Sequence, residues 1–310
     1  MKIVIVGPGA MGCLVAAYLA KSKEEIWLLD KDKKRAGQID EQGISVQGVS
    51  GDWKVKVNAT SDVADIKNAD LVIICVKSYD TKEAISEVKP LLGDDTTVLT
   101  LQNGIGNVEI ISEVAGQDRV IAGSTNQGAT LLGNGLIRHA GKGETAIGRM
   151  DGKITVQMRY IRELFNKVGL ETKITRDIKG LLWSKLVINA GINALTAITR
   201  LANGRLIEFE STREIMREAV NEAVKVAKKK RIKLIYDDPL AKAEAVCEAT
   251  SGNISSMLQD VLNKKNTEID FINGVIVRQA RSLGIAAVVN SVLVNLIKAI
   301  ESSYDREIKP

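Results

Sequence analysis

The sequence predicts an α/β domain built on a doubly wound parallel sheet, followed by an all-α domain. Three observations carry that prediction. Apolar runs of strand length alternate with helical patterns through the first half of the chain, a glycine-rich turn joins the first strand to the first helix, and beyond about residue 155 the apolar period becomes helical. A length of 310 residues also exceeds what one core usually spans, so two domains are expected.

The elements follow in order. "KIVIV" (2–6), "IWLL" (26–29), "LVIICV" (71–76), "TVLTL" (97–101) and "RVIAG" (119–123) are near-continuous apolar runs, as strands buried on both faces require. "WKVKVN" (53–58) alternates polar and apolar residues and reads as a half-exposed hairpin strand. The glycine-rich stretch 125–148 suggests antiparallel strands that extend the sheet. Later, "VQMRYIRELFNKVG", "IKGLLWSKLVINAGINALTAITRL", "TREIMREAVNEAVKVAKKK" and the segment 239–300 carry helical apolar faces. The change of period places a domain boundary near residue 174, giving a nucleotide-binding domain over 1–174 and a helical domain over 175–310.

Composition narrows the class. Apolar residues make up 45% and charged residues 26%, ordinary values for a globular protein in water. The apolar runs are strand-length, well short of the roughly 20 residues of a membrane span, and the N-terminus reads as strand and turn instead of a signal peptide. A cytoplasmic protein with no membrane partner is expected. Cys13, Cys75 and Cys247 are odd in number and lie among apolar neighbours, so neither a disulfide framework nor a metal site is expected. The net charge is +5, but its densest run, "KVAKKKR", ends a helical pattern, and aromatic residues are only 4%. Nucleic acid is therefore not an expected partner.

"GPGAMG" places Gly7, Gly9 and Gly12 in the spacing of a dinucleotide turn of Rossmann type, with Ala10 and Met11 opening the helix. Gly7 permits the tight turn, Gly9 the approach of a pyrophosphate, and Gly12 close packing of helix on strand. Asp30 ends the second strand where an acid reaches an adenosine ribose. Lys77 follows "LVIICV", and Asn103 with Gly104 lies just past "TVLTL". Both sit beyond strand carboxyl ends, where open parallel sheets bind ligands.

"KLVINAGIN" (185–193) adds a second constellation. Lys185, Asn189 and Asn193 are spaced by four, which puts a cation and two amides within roughly 80° on one face of an otherwise apolar helix. Three such groups each need a buried partner or water, a requirement that a cleft meets.

Together with "VKSYDT" (76–81), "LQNGIG" (101–106) and "NISSMLQDVLNKKNTEIDFINGV" (253–275), these motifs resemble ketopantoate reductases over nearly the whole chain. The resemblance implies an NADPH-dependent reductase of 2-dehydropantoate, on the route to pantothenate and coenzyme A. It implies Lys185 as the catalytic lysine, with Asn189 and Asn193 as substrate contacts. Ser256 and Glu268 then lie on the substrate's other side, and Asn103 beside the nicotinamide. The stripe would form one wall of an active site and the strand ends the other. Helical domains of such enzymes often supply dimer contacts, which leaves a homodimer open.

The chemistry suits these residues. Reducing a ketone creates an alkoxide, which a lysine ammonium can stabilise and protonate. A carboxylate nearby helps that lysine stay charged. Ser256 and Glu268 would be about 18 Å apart along one continuous helix, but "NKKN" (263–266) interrupts the period. Thr267 with Asp270 reads as a capping box, so that Glu268 opens a new helix. His139, the single histidine, is expected to be structural.

For the cofactor, Asp30 alone favours NAD, whereas Lys31 stands where the family's arginine for the 2′-phosphate is expected. "DKDKKR" (30–35) sets four cations against two acids. NADPH is the expectation, with NADH usable. Two other functions stay open: a reductase of another branched 2-keto acid, and a nucleotide-sensing protein without catalysis.

Overall fold

A computed structural model describes residues 1–306, which fall into two units. The first comprises residues 1–102 and 107–178, the second residues 103–106 with 179 onward.

The first unit begins β1 (Lys2–Val6), α1 (Ala10–Leu19), β2 (Glu25–Leu29), α2 (Lys33–Gln42), β3 (Ile44–Gly48), β4 (Trp53–Val55) and β5 (Asn58–Thr60). It continues with β6 (Ala69–Ile74), α3 (Thr81–Glu87), β7 (Leu92–Thr100), α4 (Asn107–Ala115), β8 (Val120–Thr125), β9 (Gly128–Gly133), β10 (Leu136–Gly141), β11 (Thr145–Gly148), α5 (Val156–Val168) and β12 (Thr172–Ile174).

Among the described residues the main sheet has eight strands in the order β12-β11-β8-β7-β6-β1-β2-β5, parallel throughout except where β11 runs against β8. Alternate residues of each central strand enter different cores. Ile3, Ile5, Leu71 and Ile73 join α1 and α5, whereas Val4, Val6, Val72 and Ile74 join α3 and α4. That division explains why these strands read as continuous apolar runs. The chain leaves β1 for β2 on one side and later returns to β6 on the other, so strand order reverses between β1 and β6. The glycine turn follows β1 at this switch point.

Two expectations need correction. "WKVKVN" is not one strand. β4 pairs with β3 in a separate four-stranded sheet, β4-β3-β10-β9, whereas β5 lies parallel to β2 at the edge of the main sheet. The glycine-rich stretch also divides: β9 and β10 form an antiparallel pair in the small sheet, and β11 alone extends the main one. Period 2 identifies a strand face but says nothing of which sheet will pair with it. His139, on β10, is buried between Tyr18 and Gln127, with Gln127 Oε1 2.9 Å from its Nε2, and burial lowers its pKa.

The second unit contains α6 (Ile178–Thr199, whose first residue belongs to the first unit), α7 (Glu210–Lys229), α8 (Pro239–Ala249), α9 (Ser256–Leu262), α10 (Asn273–Ser282) and α11 (Val288–Ser303). Asp238 caps α8, its side chain accepting from Ala241 N at 2.9 Å ahead of Pro239. α6 lies in the core, and α7 packs so closely that a Cβ on Gly191 would stand 2.8 Å from Val220 Cγ2. By length and composition α6 is apolar enough to cross a membrane, although the apolar runs alone are too short. However, 72% of its most apolar window is buried within the protein, as in the core helix of a soluble bundle.

Candidate active site

In the first unit, the three glycines divide their work as their spacing predicts. Gly7 has φ +94°, and a Cβ there would stand 2.7 Å from Val76 Cγ1; a Cβ on Gly12 would stand 2.1 Å from Gly7 O. Both positions require glycine for the fold itself. Gly9 does not, because a Cβ there would meet no atom within 4 Å. It precedes α1, where Ala10 and Met11 begin the helix without a side-chain cap. The backbone amides of that first turn therefore lack side-chain acceptors, which suits an anion.

Beside this turn, Asp30 is buried and held by Arg35. Arg35 Nη2 donates to Asp30 Oδ1 at 2.6 Å while Nε donates to Oδ2. Asp32 caps α2 by accepting from Arg35 N at 3.0 Å. Lys31 extends outward and pairs with Asp80 at 3.1 Å. Lys77 opens the turn Ser78–Asp80 after β6. Beneath it Gln102 Nε2 donates to Val76 O at 2.9 Å and to Thr81 Oγ1 at 2.8 Å, and Asn107 Nδ2 donates to Ser78 Oγ at 3.1 Å. Gln102 and Asn107 bracket "NGIG" and Ser78 and Thr81 follow Lys77, so these motifs contain their own support. Arg35, Gln102 and Asn107 carry no role in the sequence reading.

The second unit gathers the other residues. Asn103 belongs here. Ile105 N donates to Phe271 O at 3.0 Å, and a Cβ on Gly104, at φ +82°, would stand 2.5 Å from the same oxygen. Backbone contact this close admits only glycine, so the loop carrying Asn103 is fastened three residues after Glu268.

α6 runs unbroken through Lys185, Asn189 and Asn193, which therefore share one face. From Trp183 to Ala197 every residue is buried except Lys185 and Asn189, which are half-buried. Long-range side-chain bonds hold this helix, among them Ile235 N donating to Ser184 Oγ at 2.8 Å. Asn273 Nδ2 donates to Ala190 O at 2.9 Å, and Thr196 Oγ1 lies 2.7 Å from Ser255 Oγ. Ser255 also caps α9, accepting from Leu258 N at 3.0 Å, which makes Ser256 the first residue of that helix.

The break at "NKKN" is real: α9 ends at Leu262, and Lys264 adopts φ 52°. The capping box is not. Thr267 Oγ1 accepts from Ile269 N at 3.2 Å, and Asp270 pairs with Lys298 at 2.8 Å. Glu268 precedes a single 3₁₀ turn, Ile269–Phe271, and α10 begins only at Asn273. A threonine hydroxyl two residues ahead of an amide closes a local turn in preference to reaching the third residue. Glu268 thus stands ahead of one tight turn instead of opening a full helix, and it is buried.

Lys185 and Glu268 are brought together. Burial lowers the Lys185 ammonium from its ordinary value to about 8, and the negative charge of Glu268 opposes that fall. A lysine balanced in this way can give up a proton near neutral pH. Among the described residues no group of three His, Cys, Asp or Glu side chains could hold a metal ion.

The sequence matches the description "Ketopantoate reductase PanE/ApbA" over residues 3–152 and "Ketopantoate reductase PanE/ApbA C terminal" over residues 177–301. The chain belongs to the ketopantoate reductase family. Relatives named 2-dehydropantoate 2-reductase include one from Pyrococcus horikoshii, 37% identical over 97% of this chain and 98% of its own. Another, from Halobacterium salinarum, is 34% identical over 96% of this chain and 98% of its own. Of solved structures, a PanE/ApbA family ketopantoate reductase from Ralstonia eutropha JMP134 has a TM-score of 0.91 at 35% identity, covering 99% of this chain and 100% of that one. A D-mandelate dehydrogenase in ternary structure with NADH and anilino(oxo)acetate has a TM-score of 0.93 at 28% identity, covering 98% and 100%. Ketopantoate reductases thus share their fold with a dehydrogenase of a different 2-hydroxy acid.

Proposed function

We propose that this chain reduces 2-dehydropantoate to pantoate with NADPH, a step toward pantothenate and coenzyme A. The observation that carries the reading is Lys185 held near neutrality beside buried Glu268, on a helix whose other half-buried residue in that stretch is Asn189. The full-length likeness to 2-dehydropantoate 2-reductases supports it.

The first unit suits a nicotinamide nucleotide. The open approach at Gly9 and the uncapped first turn of α1 would take the pyrophosphate, with Lys77 nearby past β6. When bound, the dinucleotide supplies a hydride to C2 of the keto acid. Charge then develops on the ketone oxygen, where the Lys185 ammonium stabilises it and donates its Nζ proton, leaving a neutral amine to be reprotonated from solvent. Asn189, Asn193 and Ser256 orient the keto acid through amide and hydroxyl hydrogen bonds, and Asn103 would help to hold the nicotinamide. Glu268 holds Lys185 charged and accepts from the substrate's own hydroxyl, which selects a hydroxylated 2-keto acid over a plain one.

The preference for NADPH rests on Arg35. Asp30 alone would repel a 2′-phosphate, but its carboxylate is engaged by two guanidinium donors, and Lys31, Lys33 and Lys34 leave the strand end cationic. The D-mandelate dehydrogenase that shares this fold is described with NADH, so the same frame also serves that coenzyme in another protein.

Steady-state oxidation of NADPH and NADH with a panel of 2-keto acids tests both parts. Ketopantoate should be the best substrate, ahead of its analogue without the hydroxyl and of aryl 2-keto acids. A higher kcat/KM for an aryl keto acid would instead indicate a mandelate-type dehydrogenase. Arg35→Ala and Lys31→Ala should each lower the NADPH/NADH ratio of kcat/KM by about tenfold, the scale of one charged hydrogen bond. A native preference for NADH, unmoved by either substitution, would assign the choice to Asp30.

A further inference from the structure

A chain of buried polar groups crosses the helical unit and ends against the helix that carries Lys185. It begins at Glu222 on α7, whose carboxylate accepts from Val289 N and Asn290 N at 2.9 Å each and from Asn290 Nδ2 at 2.8 Å. Asn290 Nδ2 also donates to Ala219 O at 3.0 Å, and Asn290 Oδ1 accepts from Asn273 Nδ2 at 3.0 Å. Asn273 Nδ2 spends its other hydrogen on Ala190 O, 2.9 Å away on α6 and 83 residues distant in sequence. Asn273 and Asn290 are both 0% exposed.

Position gives this chain its meaning. Asn273 is five residues past Glu268 and begins α10, and Ala190 immediately follows Asn189 and lies five residues past Lys185 on α6. The Asn273–Ala190 bond therefore joins the segment bearing Glu268 to the helix bearing Lys185. The amide spends both donors on this brace and leaves its own Oδ1 buried without a hydrogen-bond partner. Fully engaged buried donors fix one geometry.

We infer that Asn273 is a positioning residue, which sets the separation of Lys185 and Glu268 by bracing α10 against α6. The inference rests on the proposed roles of those two side chains. Asn273 itself touches neither, and its influence passes through the backbone of Ala190 and through the turn between Glu268 and α10. The charge of Glu268 acts on Lys185 and raises its pKa against the effect of burial. Glu222, the charged member of the network, is committed to the amides at the start of α11.

The test is the pH dependence of kcat/KM for keto-acid reduction in Asn273→Ala, beside Asn203→Ala as a control. Asn203 is a buried asparagine of the same unit, tied by Nδ2 to Thr250 Oγ1 at 2.9 Å and joined neither to α6 nor to the Glu268 segment by a side-chain bond. Loosening the brace should lower kcat about tenfold, since small misplacements of catalytic groups are costly. It should also move the alkaline limb down by about one pH unit, as Glu268 withdraws support from the lysine. Asn203→Ala should lower the melting temperature without moving the limb. Should Asn273→Ala not accumulate folded, Asn273→Ser keeps one donor and should shift the limb by a smaller amount in the same direction.

An unmoved limb in the Asn273 variants, or an equal shift in Asn203→Ala, overturns the inference. Lys185→Arg separates this from failure of the underlying reading. If that variant keeps the native limb, the limb does not belong to Lys185 and the reading itself fails. If the limb belongs to Lys185 but ignores Asn273, the brace alone fails.

Discussion

The two units place their candidate residues by different means. In the nucleotide-binding unit the decisive geometry is local and steric: Gly7 and Gly12 lie five residues apart and admit no side chain because Val76 and Cys75, just past β6, and the backbone of Gly7 already fill the space. In the helical unit it is long-range and polar. Lys185, Ser256 and Glu268 come from separate segments, and the bonds that align them, Asn273 to Ala190 and Thr196 to Ser255, span 83 and 59 residues of chain. The first kind of site is specified by a motif, whereas the second exists only once the bundle has packed.

That contrast predicts that the two halves fail separately. The largest effect is expected on the chemical side: Lys185→Ala should lose turnover by about a hundredfold or more, the scale of a general acid, while coenzyme affinity measured by fluorescence titration stays native. Gly12→Ala should do the reverse. Its Cβ would stand 2.1 Å from Gly7 O, so the turn must open, and coenzyme affinity should fall well before the helical unit's melting behaviour changes. Coenzyme affinity lost equally in both variants would erase the distinction between the units.

A smaller effect is expected at Glu268. Glu268→Ala should reduce the preference for ketopantoate over its analogue lacking the hydroxyl by roughly ten- to a hundredfold, as one lost buried hydrogen-bond partner costs about 1–3 kcal/mol. Equal slowing of both substrates would restrict the glutamate to its effect on Lys185.

The smallest effect concerns stability. Folding lowers the Lys185 pKa from 10.5 to about 8, so at neutral pH the folded state carries a partly desolvated charge that the unfolded chain holds in water. The penalty is fully present below pH 8 and disappears as pH rises from 8 toward 10.5, where the amine is neutral in both states. Lys185→Met should therefore be about 1–3 kcal/mol more stable than the native chain at pH 7, with the gain vanishing near pH 10.5. A Lys185→Met protein that unfolds at lower denaturant at pH 7 would show that the lysine's contacts outweigh its desolvation.

How much was legible follows the same division. The parallel sheet, the glycine turn and the helical second half were readable because buried strands and amphipathic helices impose their periods directly on sequence. The face shared by Lys185, Asn189 and Asn193 was readable because four-residue spacing fixes it on any unbroken helix. The division of the small sheet from the large one was not, since pairing partners leave no mark on a strand's own period. Nor was Arg35's engagement of Asp30: among four cations at a helix start, only packing decides which one turns inward. Asn273 was in view within "FINGV" yet carried no role, because its partner, a backbone carbonyl on α6, has no signature in the sequence. The capping box was misread for a related reason: the residues were right, but Thr267 had a nearer amide to serve.

The central claim is that Lys185 supplies the proton that completes ketone reduction. The most direct measurement is kcat/KM for ketopantoate reduction between pH 6 and 10, in the native chain and in Lys185→Arg. The native profile should hold level in the acidic range and fall above a pH near 8, where the ammonium is lost. In Lys185→Arg, whose guanidinium stays charged throughout, the residual activity should show no such fall. A native profile level to pH 10, or the same fall retained in Lys185→Arg, would contradict the assignment.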